Sequence, residues 1–250
     1  MRALLRYVLW SLLFILVVII GVLGFAVSTQ TGLNTVIALA QKVLPGTLTY
    51  ERIEGRLLGP LEVDQLRYRD AELAVGLKEA RLDWSPSDLW SGRLHLGVLK
   101  TDGLELHLPA SAPEAETPPS APFQLSDIPL PLQVEIADLA VTDTRIWPHG
   151  AQEPIVIDAV ILQAGTEGRV IHLRTFEVNA PQGEVGLNGQ LELSGDNPLE
   201  LHLNGTFKDP QYGPLTAEGV VKGDLDKTLA LNFDVSGAVT ASLEGTASHV

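Results

Sequence analysis

A strict period of two constrains this chain more than any other feature. From Glu184 to Ser194 the odd positions Val185, Leu187, Gly189, Leu191 and Leu193 are apolar or glycine, while Glu184, Asn188, Gln190, Glu192 and Ser194 between them are polar. Successive side chains of a strand point to opposite faces, so such a stretch folds as a strand with one dry and one wet face. The rule returns at Leu199, Leu201, Leu203, Gly205 and Phe207, at Leu229, Leu231, Phe233 and Val235, and at Val239, Ala241, Leu243, Gly245 and Ala247. Turn chemistry separates these runs: Ser194-Gly195-Asp196-Asn197-Pro198, Lys208-Asp209-Pro210 and Gly223-Asp224. Shorter runs precede them at Leu73/Val75/Leu77, Ala80/Leu82/Trp84, Leu94/Leu96/Val98, Leu104/Leu106/Leu108 and Ile155/Ile157.

Many short strands of this kind build a sandwich, a closed barrel or a stacked solenoid. Because no helical pattern follows Leu44, the repetition favours an elongated sheet in which each strand pairs with its neighbours. About fourteen strands spaced about 4.8 Å apart would extend on the order of 70 Å. A transmembrane barrel is disfavoured, since aromatic residues make up only 6% of the chain and form no girdles. Residues 109–131 interrupt the ladder with seven prolines and several acids, which suits neither sheet interior nor helix and predicts a loop or linker between two parts of the sheet.

The other end of the chain has a different character. Residues 7–27 carry no charge and only Ser11 as a clearly polar side chain. As a helix at about 1.5 Å per residue they would cover roughly 31 Å, the hydrocarbon thickness of a bilayer. Tyr7, Trp10, Leu16, Ile20 and Val27 mark this expected anchor, with Tyr7 and Trp10 at the inner interface. A cleaved secretory signal is the competing reading, supported by Ala26-Val27-Ser28, but its apolar region is normally about 7–15 residues. Arg2 and Arg6 flank the run on one side and the first charge on the other is Lys42, so the positive-inside bias predicts a cytoplasmic N-terminus with the remainder translocated. Leu33, Val36, Ile37, Ala40, Val43 and Leu44 then recur at helical spacing until Pro45-Gly46. That segment is expected either to lie on the outer leaflet or to cap the first strands. The chain thus divides into an anchor (1–28), a helix and connector (29–46), a first β segment (47–108), the Pro-rich linker (109–131) and a second, repetitive β segment (132–250).

Charge and chemistry narrow the function. All 31 acids lie after Tyr50, against 17 Lys and Arg in the whole chain, for a net charge of −14. No basic cluster is available to neutralise phosphates, so a nucleic-acid partner is excluded. With no cysteine there is no disulfide, thiolate zinc site, iron–sulfur cluster or cysteine nucleophile. His95, His107 and His202 each sit between two leucines, which places them on the polar face; their spacing supports no metal site. No nucleophile elbow, phosphate-cradling glycine loop or carboxylate pair is present, so neither an enzyme nor a bound cofactor is expected. Trp84 and Trp90 flank Ser85-Pro86-Ser87-Asp88 and are expected to cap one end of the sheet. What remains is the apolar face, which is either a core covered by a second sheet or an open groove for acyl chains, where burial stabilises by about 0.8 kcal/mol per methylene.

The order of features resembles the N-terminal region of the TamB family, within the AsmA-like superfamily. Thr31-Gly32-Leu33 after the span, Leu44-Pro45-Gly46, Ile53-Glu54-Gly55 and the strand from Leu61 to Tyr68 carry the resemblance. Gly183-Glu184-Val185-Gly186-Leu187-Asn188-Gly189 and Pro198-Leu199-Glu200-Leu201 add to it. The resemblance implies a mainly β protein: an N-terminal transmembrane helix in the bacterial inner membrane, then an elongated, curled, taco-like or solenoid periplasmic sheet with an apolar interior. It also implies movement of inner-membrane phospholipid toward the outer membrane, or assembly of outer-membrane proteins with a TamA-like barrel. Family members are much longer, so the chain is expected to be an N-terminal piece whose partner-docking region lies beyond it. On this reading Val185, Leu187, Leu191, Leu193, Leu199, Leu201, Leu203, Phe207, Leu229, Leu231, Phe233, Val235, Val239 and Leu243 line the groove.

Overall fold

The computed structural model describes residues 28–71, 73–109, 132–209, 213–238 and 240–248. The expected anchor residues Tyr7, Trp10, Leu16, Ile20 and Val27, the topology residues Arg2 and Arg6, groove residue Val239 and all but the first residue of the Pro-rich segment lie outside that set. Among the described residues no helix is long and apolar enough to cross a membrane.

Helix α1 (Gln30–Val43) forms where the spacing predicts it. The Thr29 hydroxyl caps it by accepting from the Gly32 N–H at 3.1 Å. At the other end Leu44 leaves in an extended conformation while its N–H still reaches the Ala40 carbonyl. Pro45 cannot supply the next donor, which fixes the stop. Leu33 and Ile37 are buried, whereas Leu39 and Val43 are exposed, so α1 turns one stripe inward and leaves another in the open. Two glutamines dock it on the strands that follow. Gln30 donates to the Ile53 carbonyl (2.8 Å) and accepts from the Gly55 N–H (2.6 Å), and Gln41 donates to the Leu48 carbonyl (3.0 Å). Capping of the first strands is therefore what α1 does in the structure.

The rest is one sheet of 13 strands: β1 (Thr47–Thr49), β2 (Arg52–Gly55), β3 (Leu61–Arg69), β4 (Ala74–Ser85), β5 (Arg93–His107), β6 (Gln133–Trp147), β7 (Ile155–Glu167), β8 (Val170–Ala180), β9 (Gly183–Glu192), β10 (Pro198–Asp209), β11 (Gly213–Asp224), β12 (Thr228–Gly237) and β13 (Ala241–Ser248). β1 and β2 both pair with β3, and from β3 onward spatial order follows chain order. Every pairing is antiparallel except β5 with β6, which run parallel with Arg93 opposite Gln133 and His107 opposite Trp147. A parallel pair forces the chain to return along the full strand before the next one starts. Strand β5 has 15 residues, so that return covers roughly 46 Å at about 3.3 Å per residue. The molecule is a large, open, curled sheet of mainly β structure.

Two pairs of predicted strands prove to be single strands. Leu73/Val75/Leu77 and Ala80/Leu82/Trp84 belong to β4, apart from Leu73 at its threshold, and the runs around Leu96 and Leu106 both belong to β5. The alternation slips by one residue within each, which reads in sequence as a strand end. The structure absorbs the slip in a seam shared by five strands. In β3 the half-buried positions Leu61 and Val63 are followed by Leu66 and Tyr68, which a regular strand would turn to the opposite face. Gln65 stands at the break with φ 52. Lys78 lies across from it, between the paired positions Leu77 and Glu79. Gly103 (φ 66) and Asp143 (φ 48) continue the same row on β5 and β6, and Asp158 falls on it in β7. A left-handed residue resets the pleat, so apolar side chains on both sides of the seam stay on one face. At Gly103 a Cβ would also stand 2.3 Å from the Lys78 chain.

The link between β4 and β5 departs from expectation too. Pro86–Ser91 forms one short 3-10 turn closed by Gly92 at φ 72. Trp84 is tied down, donating its indole N–H to the Leu57 carbonyl at 3.0 Å. Trp90 is 95% exposed and covers nothing, because the turn carries its side chain past the last paired residues, Ser85 and His95.

Candidate functional site

Cross-strand register assembles the apolar positions into rows that cross the sheet. Residues directly opposite on paired strands share a face, so a row can be followed from strand to strand. The first starts with Leu61, Leu82, Leu99, Leu139 and Leu162 on β3 to β7. It continues through Phe176, Leu187, Leu203, Gly219, Phe233 and Leu243 to β13. Gly219 is no gap: a Cβ there would lie 2.2 Å from the Phe233 ring, so the ring occupies the space. The neighbouring row is narrower, with Val63, Ala80, Thr101, Val141 and Val160, then Val178, Val185, Gly205, Ala217, Val235 and Ala241. No charged residue interrupts either row.

The predicted groove residues take their places in this pattern. Leu187, Leu203, Phe233 and Leu243 belong to the wide row, and Val185 and Val235 to the narrow one. Leu201 and Leu231 join through Val221, and Leu191, Leu199 and Leu229 join through Gly223. Phe207, opposite Gly183 and Leu215, lies at the rim and is 41% exposed. Leu193 is only 1% exposed, because it sits beyond the end of β9 among the turns, where its carbonyl accepts from the Arg169 guanidinium. The half of the surface contributed by β3 to β8 went unpredicted as a lining. The slipped alternation in those strands hid its continuity.

The rows are half-buried from β3 to β12 and exposed at β13, where Leu243 is 62% exposed. Leu33, Ile37 and Leu193 are the buried hydrophobic residues among those described, and apart from α1 at the first strands no described sheet or helix lies over the apolar face. What shelters each side chain is its neighbours in the row, leaving an open surface that can accept hydrocarbon.

Charge is confined to the other face. Cross-strand ion pairs there include Arg52 with Asp64 (2.6 Å), Lys100 with Asp138 (2.6 Å) and Arg174 with Glu135 (2.6 Å). At the seam Lys78 Nζ meets Asp143 Oδ2 at 2.5 Å, and Arg145 meets Asp143 Oδ1 at 3.0 Å. The hydrogen bond from Lys78 holds the Asp143 carboxyl below its usual range, and that bond likewise raises Lys78. His107 stacks on Trp147 with ring centroids 4.4 Å apart, and His202 lies 3.5 Å from Glu200. Among the described residues no group of His, Asp and Glu is arranged to hold a metal ion.

At one end of the sheet, three turns meet around Asn197. This residue is fully buried at φ 56; its amide donates to Asp226 at 2.6 Å, and its own carbonyl accepts from Leu225. It locks the β9–β10 turn to the β11–β12 turn, a role that Ser194-Gly195-Asp196-Asn197-Pro198 announced only as a turn.

The chain is 25% identical over 153 residues to the translocation and assembly module subunit TamB of Haemophilus influenzae, a match covering 54% of this chain and 11% of that protein. The chain therefore spans only a small part of the curated relative's length. No solved structure matches. The description of the TamB N-terminal domain family matches residues 19–126 and 120–249, two segments that meet in the connection between β5 and β6. Together these segments take in nearly the whole chain, and the chain belongs to the TamB N-terminal domain family.

Proposed function

We propose that this chain is the inner-membrane-anchored beginning of a periplasmic bridge whose apolar face carries phospholipid toward the outer membrane. One observation carries the reading: two rows free of charged residues cross the sheet from β3 to β13, and apart from α1 at the first strands no described layer covers them. Acyl chains would lie along the rows while head groups remain in solvent, and movement would be passive sliding. Each methylene taken from water onto such a surface gains up to about 0.8 kcal/mol, and that gain is nearly the same at every strand. A uniform surface of this kind holds a lipid without trapping it. The enclosing bilayer span would be residues 7–27, with Arg2 and Arg6 on the cytoplasmic side. The chain would act as a conduit and not as an enzyme.

The test is photo-crosslinking from Leu201 and Leu231 in cells. Lipid adducts support the conduit, and their absence at both positions removes it. Leu201→Asp combined with Phe233→Arg should abolish the adducts and lipid movement while leaving membrane insertion intact.

A second reading is a scaffold for outer-membrane protein assembly with a TamA-like barrel, in which a sheet edge and not the apolar face would pair with client strands. Peptide adducts in place of lipid adducts from Leu201 and Leu231 would favour it.

A further inference from the structure

The 3-10 tip between β4 and β5 stands out from the rest of the surface. Trp90 is 95% exposed, and beside it Leu89 is 39% exposed. The indole of Trp84 at the base of the tip is bonded to the Leu57 carbonyl, which brings the β2–β3 loop alongside, with Leu58 38% exposed. Arg56 in that loop and Arg93 just after the tip are exposed, and neither forms an ion pair with a described carboxylate. Asp88 is the acid of the tip itself. An exposed indole, adjacent leucines and exposed guanidinium groups, that of Arg93 donating to the Ser91 hydroxyl at 3.3 Å, are the combination favoured where hydrocarbon meets phosphate head groups.

Position identifies the surface this tip would meet. The chain enters the described structure at Ser28, beside Gln30, whose amide bonds Ile53 and Gly55 of β2. Gly55 is opposite Leu61, and Leu61 is opposite Leu82. Only four residues past Leu82 the tip begins, about 13 Å further along the strand direction and about two strand spacings to the side. The tip and the point where the apolar run 7–27 joins the sheet therefore lie at the same end. Further along that end the turns carry the acids Glu192, Asp196, Asp224 and Asp226 against Arg169 and Lys227, the latter paired with Asp196, a net negative charge that anionic head groups would repel.

We propose that Trp90, with Leu89 and Leu58, is a second membrane contact that inserts at the head-group level of the bilayer anchoring the chain. Two attachments, the span and the tip, fix the tilt of the first strands against the membrane, which a single attachment cannot do. The contact rests on the reading of residues 7–27 as a span.

Since the chain has no cysteine, single probes can be placed cleanly. The full chain is reconstituted in vesicles of phosphatidylethanolamine and phosphatidylglycerol with an environment-sensitive fluorophore on Ser87→Cys at the tip, or on Ala151→Cys in the β6–β7 turn at the opposite end. The Ser87 probe should be quenched by a lipid-attached quencher and shielded from iodide, with the Ala151 probe showing the reverse. Trp90→Ser in the Ser87→Cys background should abolish the lipid quenching without moving the thermal midpoint, because its side chain contacts almost nothing. Equal iodide access at both probes, shielding at Ser87 without lipid quenching, or no effect of Trp90→Ser would each overturn the proposal. Carbonate-resistant flotation separates the two readings: a chain that floats with an unquenched tip keeps the anchor and loses the contact, and one that does not float loses both.

Discussion

Leu193 and Leu201 are the same residue type a few positions apart, yet they meet different surroundings. Leu193 is 1% exposed among the turns, so truncation leaves a cavity with nothing to collapse into it. Leu193→Ala should lower stability by about 2–4 kcal/mol in denaturant titration. Leu201 is half-buried on an open face, and Leu201→Ala should lose clearly less than the same change at Leu193. At the seam, Gln65 holds φ 52 with no described hydrogen bond from its side chain, so Gln65→Gly should raise stability by up to about 1 kcal/mol. Asp143 combines backbone and charge. Asp143→Asn keeps a residue tolerant of the left-handed region and removes the ion pair, so its midpoint should fall modestly at neutral pH. The sign follows from the depressed carboxyl: the stabilisation is complete above the ordinary carboxylate range and disappears as pH falls through the lowered value, so wild type and variant should converge in acid. That most apolar residues of β9 to β13 share one face was legible because their alternation is unbroken. Trp90, Lys78 and Asp143 were not, since what distinguishes them is where a turn or a phase slip carries the side chain.

Among the elements, α1 protects the first edge of the sheet with side chains and not with a strand. Gln30 supplies one donor and one acceptor to Ile53 and Gly55, as a neighbouring strand would. Gln30→Ala should speed amide exchange at Gly55 by severalfold or more and leave exchange in β6 unchanged. The helix itself was legible from its spacing and from Pro45-Gly46; which of its stripes meets the sheet was not, because Val36, Leu39 and Val43 are as apolar as Leu33 and Ile37. The connection after β5 has a length requirement as well. It must return roughly 46 Å, which takes at least about 14 extended residues. Removing eight residues from within residues 110–129 should therefore be tolerated, whereas removing sixteen should break the β5–β6 pairing, read out as loss of the His107–Trp147 stack in near-ultraviolet circular dichroism.

Across the whole molecule, stability is carried from strand to neighbouring strand with no central core to unite it. Each strand contacts chiefly the next, so in this 250-residue chain local unfolding should start at β13, which no described strand pairs on its outer side, and exchange protection should fall from β6 toward β13. One-sidedness could be read from periodicity, because it depends on local alternation; strand count could not, because a phase slip inside β4 and β5 reads as a strand end. The parallel pair could not, because nothing in either strand's pattern states which way its partner runs.

That parallel pair separates two kinds of continuity. Everywhere else from β3 to β13, strands adjacent in space are joined by a short turn, but between β5 and β6 the ladder is one structure and the peptide chain is another. A protease that cut within residues 110–129 would sever the covalent chain at the one place where the sheet does not depend on it. The two fragments should remain one particle on a sizing column and come apart only in denaturant.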